Sequence, residues 1–310
     1  MVVSDKPTWL QVVFMYRGSA LLLVWRRLLL VTLVSVVITW LHERYGLFHD
    51  NLTIVPFSLI GIALSIFLGF RNNTSYDRFW EGRKLWGRAV NISRTITRQI
   101  LTLIGPAEKD PTMAEHRKTL VYRVIAYVHL LRQHLREEDA LDEISAFLPP
   151  AELEALRTEH NRPVALLQRI GDVFRSDWDR GWVDTMHLPV LESSLTDFTD
   201  VQGGCERIRS TPIPISYNIL LHRIVGVYCL SLPFGLVADI GILTPVVVML
   251  VAYAFFGLDA VGGEIEDPFG TDPNDLPLGA LTRMIEVNLR QRLGETDLPA
   301  YTQPVNNVLS

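Results

Sequence analysis

Apolar residues are concentrated in four long stretches of the chain, and none of the four contains a charged side chain. They cover residues 28–41, 51–70, 224–238 and 240–258. A helix needs roughly 20 mostly apolar residues to cross the hydrocarbon core of a bilayer. The second and fourth stretches reach that length alone. The other two reach it by extending past basic residues, whose long side chains can reach the headgroups. The pattern predicts four transmembrane helices, with a helix in a soluble core as the alternative for the two shorter stretches.

The long polar segment between the two apolar pairs has the spacing of soluble helices. Its apolar positions recur at helical intervals, and no alternation typical of strands persists. Gly-Pro, Asp-Pro and Pro-Pro pairs mark breaks between helices. Helices are predicted at residues 80–104, 120–135, 151–160, 164–178 and 190–209.

These elements predict an all-α membrane protein with four segments along the chain. Residues 1–70 form the N-terminal segment and the first transmembrane hairpin, and residues 71–212 form a cytoplasmic helical domain. Residues 213–258 form the second hairpin, and residues 259–310 form a cytoplasmic acidic loop and tail.

Basic residues are distributed asymmetrically around the apolar stretches. In the connector at residues 42–50, Arg44 is the only Lys or Arg, whereas the segments before the first apolar stretch and after the second are rich in both. The positive-inside rule therefore predicts that both termini and the segment 71–212 lie in the cytoplasm. Arg26 and Arg27 interrupt the first apolar run, which is not the layout of a cleaved signal peptide. The flanking cations are Lys6, Arg17, Arg26 and Arg27 before the first stretch, and Arg71, Arg78, Arg83, Lys84 and Arg88 after the second.

Composition and motifs narrow the function classes. The chain has 310 residues and a formal net charge of −5, which disfavours a nucleic-acid partner bound through bulk positive charge. Its two cysteines, Cys205 and Cys229, form neither a disulfide framework nor a Cys-based zinc site. No nucleotide-binding or hydrolase motif is present, so an enzyme is not predicted. Three histidines at positions 116, 129 and 134 lie among Arg and Glu residues and are interpreted as solvated surface.

The second apolar stretch carries two parallel rows of residues at helical spacing. Small side chains recur at Gly61, Ser65 and Gly69, and one position later the apolar row is Ile62, Ile66 and Phe70. Small residues at this spacing let neighbouring transmembrane helices approach closely. Two interpretations remain open. Either the small residues pack inside one subunit while the apolar row faces lipid, or they pack between subunits while the apolar row surrounds a pore.

Three segments resemble the bestrophin family in its bacterial branch. They are FRNNTSYDRFWEGRKLWG at residues 70–87, GCERIRSTPIP at 204–214 and EDPFGTDPNDLP at 266–277. The resemblance implies a homopentameric ion channel of the bacterial inner membrane, with four spans per subunit and one central pore. It also implies that the channel passes monovalent ions and contacts membrane lipid.

The resemblance assigns roles to individual positions. It implies a hydrophobic neck at Ile62, Ile66 and Phe70, and a second constriction between residues 183 and 190, for which Met186 is the candidate. Asp272 and Asp275 correspond to two acids of a Ca²⁺ clasp, of which the other acidic positions are replaced. The site is therefore expected to bind Ca²⁺ weakly or not at all, and no cofactor is expected to be required.

The resemblance leaves the sign of the permeant ion open. Bacterial members imply a preference for Na⁺ or K⁺, and eukaryotic members imply chloride. We expect cations, with an anion channel as the alternative. A secondary transporter and a membrane-anchored scaffold are the other classes considered, and the sequence lacks the intramembrane acid or base that a transporter typically needs.

Overall fold

The computed structural model describes residues 1, 8–15, 18–48, 53–105, 111–305 and 307–309. Throughout these residues the secondary structure is helical, and only two isolated β-bridges occur. The all-α prediction is therefore confirmed. The helices are α1 (Trp9–Val13), α2 (Ala20–Tyr45), α3 (Ile54–Leu103), α4 (Pro111–Arg136), α5 (Pro150–Arg157), α6 (Arg162–Asp179), α7 (Leu188–Ser210), α8 (Ile215–Ile240), α9 (Thr244–Glu264) and α10 (Leu278–Arg292).

The chain divides into two compact units. The apolar unit comprises residues 4–79 and 212–268, and the polar unit comprises residues 1–3, 80–211 and 269–310. Within the described part of the chain, three helical segments are long and apolar enough to cross a membrane: Ala20–Tyr45, Ile54–Leu103 and Ile215–Glu264. The last of these contains both α8 and α9.

Helices α2, α8 and α9 pack against one another in the apolar unit. The side chains of Val24, Val225 and Val248 are buried in their shared core. Ser19 caps α2, since its Oγ accepts a hydrogen bond from the Leu21 N–H at 3.3 Å. Helices α8 and α9 are separated at Gly241, where φ is 51°, a value that glycine adopts most easily.

Helix α3 is longer than the sequence pattern predicts. A separate helix is expected to begin at residue 80, but α3 continues without a break from Ile54 to Leu103. The physical reason is that residues 71–81 contain neither Gly nor Pro, so nothing in the polar segment ends the helix.

The polar unit is built around α4. This helix packs against α6, α7 and α10, and its residues from Val124 to Leu131 are buried. The helices predicted at 151–160, 164–178 and 190–209 are confirmed as α5, α6 and α7, with ends shifted by a few residues. Each has a proline in its first turn, where the missing N–H costs nothing. Residues 106–110, which hold the predicted break before α4, lie outside the described residues.

Candidate pore helix and the polar cluster beside it

Two opposite faces of α3 have opposite surroundings. Leu64 and Leu68 are 3% and 0% exposed and belong to the core of the apolar unit. Ile62, Ile66 and Phe70 are 61%, 54% and 62% exposed. Positions two apart on a helix lie about 200° apart, so the core and the exposed row occupy opposite sides. A single chain therefore leaves the predicted neck row uncovered.

The row of small residues is not uniform in its surroundings. A Cβ added at Gly61 would lie 2.7 Å from the Tyr228 hydroxyl, so Gly61 allows α8 to pack closely against α3. A Cβ at Gly69 would meet no atom within 4 Å. Ser65 donates from Oγ to the Gly61 carbonyl at 2.8 Å along the same helix. Gly61 thus serves packing inside the chain, whereas Gly69 faces open space.

A buried ion pair follows the exposed row directly. Arg71 Nη1 lies 2.8 Å from Asp259 Oδ1 and also donates to the Asp259 carbonyl at 2.8 Å. Both side chains are 2% exposed. Two further side-chain nitrogens approach Asp259 Oδ2: His222 Nε2 at 3.3 Å and Arg27 Nη1 at 3.7 Å. This polar cluster therefore joins α2, α3, α8 and α9 around one carboxylate.

Glu266 extends the polar cluster beyond the end of α9. Its Oε2 lies 3.8 Å from Arg71 Nη2, and its Oε1 accepts the Ile213 N–H at 3.0 Å. Its carbonyl accepts from Arg78 Nε at 2.9 Å. Two basic residues that follow the second apolar stretch are thus held by α9 and by the loop after it, 188 positions later in the chain.

The pairing of Arg71 with Asp259 was missed from the sequence, although a signal was present. Arg71 is the first charged residue after the second apolar stretch, and Asp259 is the first after the fourth. Opposite charges at the ends of two neighbouring spans indicate a pair, because an unpaired charge there is costly.

Met186 lies in the turn between α6 and α7 and is 77% exposed. Its backbone N–H donates to Asp184 Oδ1 at 2.7 Å, which holds the turn, while Val183 forms an isolated bridge with Ile104. The polar unit therefore presents the Met186 side chain outward from a backbone that is itself hydrogen-bonded.

The loop with Asp272 and Asp275 uses a carboxylate for its own closure. Asp275 is 3% exposed, and its Oδ2 accepts the Asp272 N–H at 2.7 Å. Asp275 in turn donates its N–H to the Asp272 carbonyl at 3.0 Å. Throughout the described residues, no group of three or more His, Cys, Asp or Glu side chains is placed to hold a metal ion. This donor set does not fit a Ca²⁺ site, which takes six to eight oxygen ligands.

The interpretation of His129 as solvated surface is wrong. His129 is 5% exposed, because α4 is surrounded by other helices of the polar unit. Its Nε2 lies 3.4 Å from Glu286 Oε2, its Nδ1 lies 4.0 Å from Glu143 Oε2, and its ring stacks on Phe147. The Arg and Glu residues near it in sequence concealed this burial, since they pair with each other inside the unit.

Glu286 is the charged centre of that contact between α4 and α10. Burial by itself raises the pKa of the Glu286 carboxyl, but His129, Arg283 and Arg290 beside it lower the pKa below its ordinary value. Arg283 Nη1 lies 2.7 Å from Glu286 Oε2, and Arg290 Nη1 lies 3.3 Å from Oε1. The carboxylate is thus held in its ionised form.

Long apolar helices and a buried ion pair among them define a helical integral membrane protein. The family description "Bacterial/Fungal Bestrophin protein" matches residues 1–291. The chain belongs to this bestrophin family, which confirms the resemblance inferred from the sequence.

Curated relatives and a solved structure cover nearly the same length. The voltage-dependent anion channel-forming protein of Ralstonia nicotianae is 42% identical over 96% of each chain. The voltage-dependent anion channel-forming protein YneE of Escherichia coli is 36% identical over 98% of each chain. The crystal structure of a bacterial bestrophin homologue from Klebsiella pneumoniae has a TM-score of 0.82 at 35% identity, and it covers 88% of this chain and 99% of that one. Members of this family are ion channels and not enzymes.

Proposed function

We propose that this chain forms an anion-conducting channel. The observation that carries the proposal is the agreement over nearly the whole length with relatives that are named anion channel-forming proteins. This supports the anion alternative better than the cation preference expected from the sequence. The apolar row on α3 that a single chain leaves uncovered supplies a surface that can surround a pore when several copies associate.

The channel is a homopentamer in the bacterial inner membrane, with Ile62, Ile66 and Phe70 as its neck. Exposure of all three side chains supports this, because five copies of one helix face can surround a single axis. The break at Gly241 supports α8 and α9 as separate spans, which gives four spans per subunit. The excess of Lys and Arg before the first apolar stretch and after the second supports cytoplasmic termini.

The neck controls flux by dewetting and does not choose the sign of the ion. Isoleucine and phenylalanine carry no formal charge, so selection comes from charged side chains and backbone dipoles elsewhere along the path. Met186 supplies a second, uncharged constriction in the cytoplasm, for which its outward orientation is the support.

The four-segment division at residues 70, 212 and 258 stays a prediction.

Calcium is not required for conduction. The support is the loop itself, where Asp275 is buried and accepts a hydrogen bond from Asp272. A carboxylate engaged in this way is a poor ligand for a hard cation.

A cation channel is the second candidate, and one observation favours it. The formal net charge of −5 on each chain becomes fivefold larger in a pentamer, and a negative field raises the local concentration of cations. Chloride would have to enter against that field.

The test is single-channel recording of the purified protein in a planar bilayer under a NaCl gradient. We expect a reversal potential displaced toward the chloride equilibrium potential. Displacement toward the sodium potential would replace the anion proposal by the cation candidate. Absence of conductance from protein of pentameric mass would contradict the channel proposal itself, and monomeric protein without conductance would favour a membrane-anchored scaffold.

A further inference from the structure

Three arginines from two helices of the polar unit line one groove. Arg94 and Arg98 lie on α3, and Arg292 is the last residue of α10. The groove has a volume of about 460 Å³, and none of the described residues that line it is a carboxylate. Its other lining residues are uncharged: Leu101, Thr102, Asn288 and Leu289.

None of these arginines forms an ion pair with any residue that the structure describes. Their neighbours in sequence behave differently. Arg88 pairs with Asp197, and Arg290 contacts both Glu286 and Glu295. Other arginines on the same two helices therefore have carboxylate partners, whereas all three arginines of this groove lack one among the described residues.

The arrangement is unfavourable without a counter-charge. Arg94 and Arg98 are four residues apart on one helix, and like charges at that spacing destabilise a helix. Arg292 brings a third positive charge to the same groove from α10. Positive charge is thus concentrated here in a chain whose formal net charge is −5. A bound anion would remove the repulsion.

We propose that this arginine groove is a binding site for a multivalent, phosphate-bearing anion. Each guanidinium can donate two parallel hydrogen bonds to a phosphate, which a chloride ion cannot accept. Asn288 adds an uncharged donor beside the arginines, whereas Thr102 Oγ1 already donates to the Arg98 carbonyl at 2.8 Å. The site is independent of the neck, so the proposal goes beyond the proposed function and does not depend on the sign of the permeant ion.

The test is isothermal titration calorimetry of the full-length, detergent-purified protein with sodium tripolyphosphate at fixed ionic strength. We expect saturable binding at one site per chain. Arg98→Gln and Arg292→Gln should each weaken binding about tenfold or more, since each removes a charge-assisted contact. Arg98→Lys should give an intermediate loss, because it keeps the charge and loses the fork. Arg175→Gln is the matched control, since Arg175 is 65% exposed, is paired with Asp179 and lies outside the groove.

A second arm distinguishes a soluble phosphate from a lipid headgroup. The protein is reconstituted in nanodiscs with phosphatidylglycerol or with phosphatidylcholine only, and tripolyphosphate binding is repeated. If tripolyphosphate binding is weaker in phosphatidylglycerol nanodiscs than in phosphatidylcholine nanodiscs, the anion of this site is a lipid headgroup. If tripolyphosphate binding is the same in both, the anion is a soluble phosphate compound. Either supports the site, provided that Arg98→Gln weakens it. No saturable binding, or binding that the arginine variants leave unchanged, would overturn the proposal whatever the channel conducts.

Discussion

Single residues on α3 differ in function according to the face they occupy. Ile66 lies on the uncovered side and is 54% exposed, whereas Leu68 is fully buried in the core of the apolar unit. The Ile60 side chain is also exposed, at 45%, but it points about a third of a turn away from Ile66 around the helix axis. The same isoleucine side chain is therefore available on and off the proposed pore face of one helix.

Replacing Ile66 by Ala is expected to raise single-channel conductance. Five side chains are shortened at once in a pentamer, which widens the ring and lowers the cost of wetting it. Planar-bilayer recording under symmetrical NaCl measures the change. Ile60→Ala is the control and should leave the conductance as in the unsubstituted protein. Equal conductance for Ile66→Ala would remove that ring from the pore.

Between elements, the Arg71–Asp259 pair links α3 to α9. Both charged side chains are buried, so each one offsets the free-energy cost of burying the other. Asp259→Asn is expected to lower the stability of the protein by about 3–5 kcal/mol, because it leaves the buried guanidinium with only the more distant Glu266 carboxylate, at 3.8 Å, as a counter-charge. Thermal unfolding in detergent, followed by circular dichroism, measures the loss.

A double variant separates charge from packing in that prediction. Arg71→Met with Asp259→Leu removes both charges and should recover much of the stability lost in Asp259→Asn. Glu81→Gln is the matched control, since Glu81 is 41% exposed and its pair with Arg207 contributes little. If Asp259→Asn unfolds at the temperature of the unsubstituted protein, the pair does not stabilise the fold.

The contact of α4 with α10 predicts a dependence on pH. The pKa of Glu286 is lowered because His129, Arg283 and Arg290 outweigh the effect of burial. A carboxyl with a lowered folded-state pKa contributes stability that is fully present above its unfolded-state pKa and is lost as the pH falls through the folded-state pKa. We expect the unfolding temperature to fall as the pH drops below the ordinary value of 4.5.

Glu286→Gln is expected to reduce that pH dependence and to cost about 1–3 kcal/mol at pH 7, where the carboxylate is otherwise ionised. Unfolding temperatures recorded from pH 7 down to pH 4 measure both effects. Glu154→Gln provides the control, because the Glu154 side chain is 76% exposed. A pH profile unchanged by Glu286→Gln would show that other carboxyls cause the acid sensitivity.

The elements also show what local sequence can and cannot predict. Prolines and helical spacing placed α5, α6 and α7 within a few residues, because those signals act within one helical turn. The burial of His129 depends on residues far away in the chain, and no local pattern contains it. The pairing of Arg71 with Asp259 is indicated only when the ends of two distant spans are compared. The sequence pattern predicts a helix boundary where the chain becomes polar after the second apolar stretch, whereas α3 is continuous there. Polar residues alone do not break a helix.

At the scale of the whole molecule, the uncovered face of α3 is where the proposed pentamer would bring copies of the chain together. Gly61 fills its role inside one subunit, since it lies against Tyr228. Gly69 has no neighbour within 4 Å and lies next to the proposed neck residue Phe70. A position open in the monomer and close to the five-fold axis is where α3 helices of adjacent subunits approach each other.

Gly69→Leu is therefore expected to block assembly while leaving each chain folded. A Cβ added at Gly69 meets no atom of its own subunit within 4 Å, so we expect the clash to arise when subunits associate. Light scattering of the purified protein should give a mass well below about five times the 35.2 kDa of one chain, with the helical content unchanged. Gly61→Leu is the contrasting variant: its side chain collides with Tyr228, so it should lower the unfolding temperature of the chain itself. A Gly69→Leu protein that retains the full assembled mass would contradict close packing of subunits at this position, and would favour the interpretation in which this face of α3 contacts lipid.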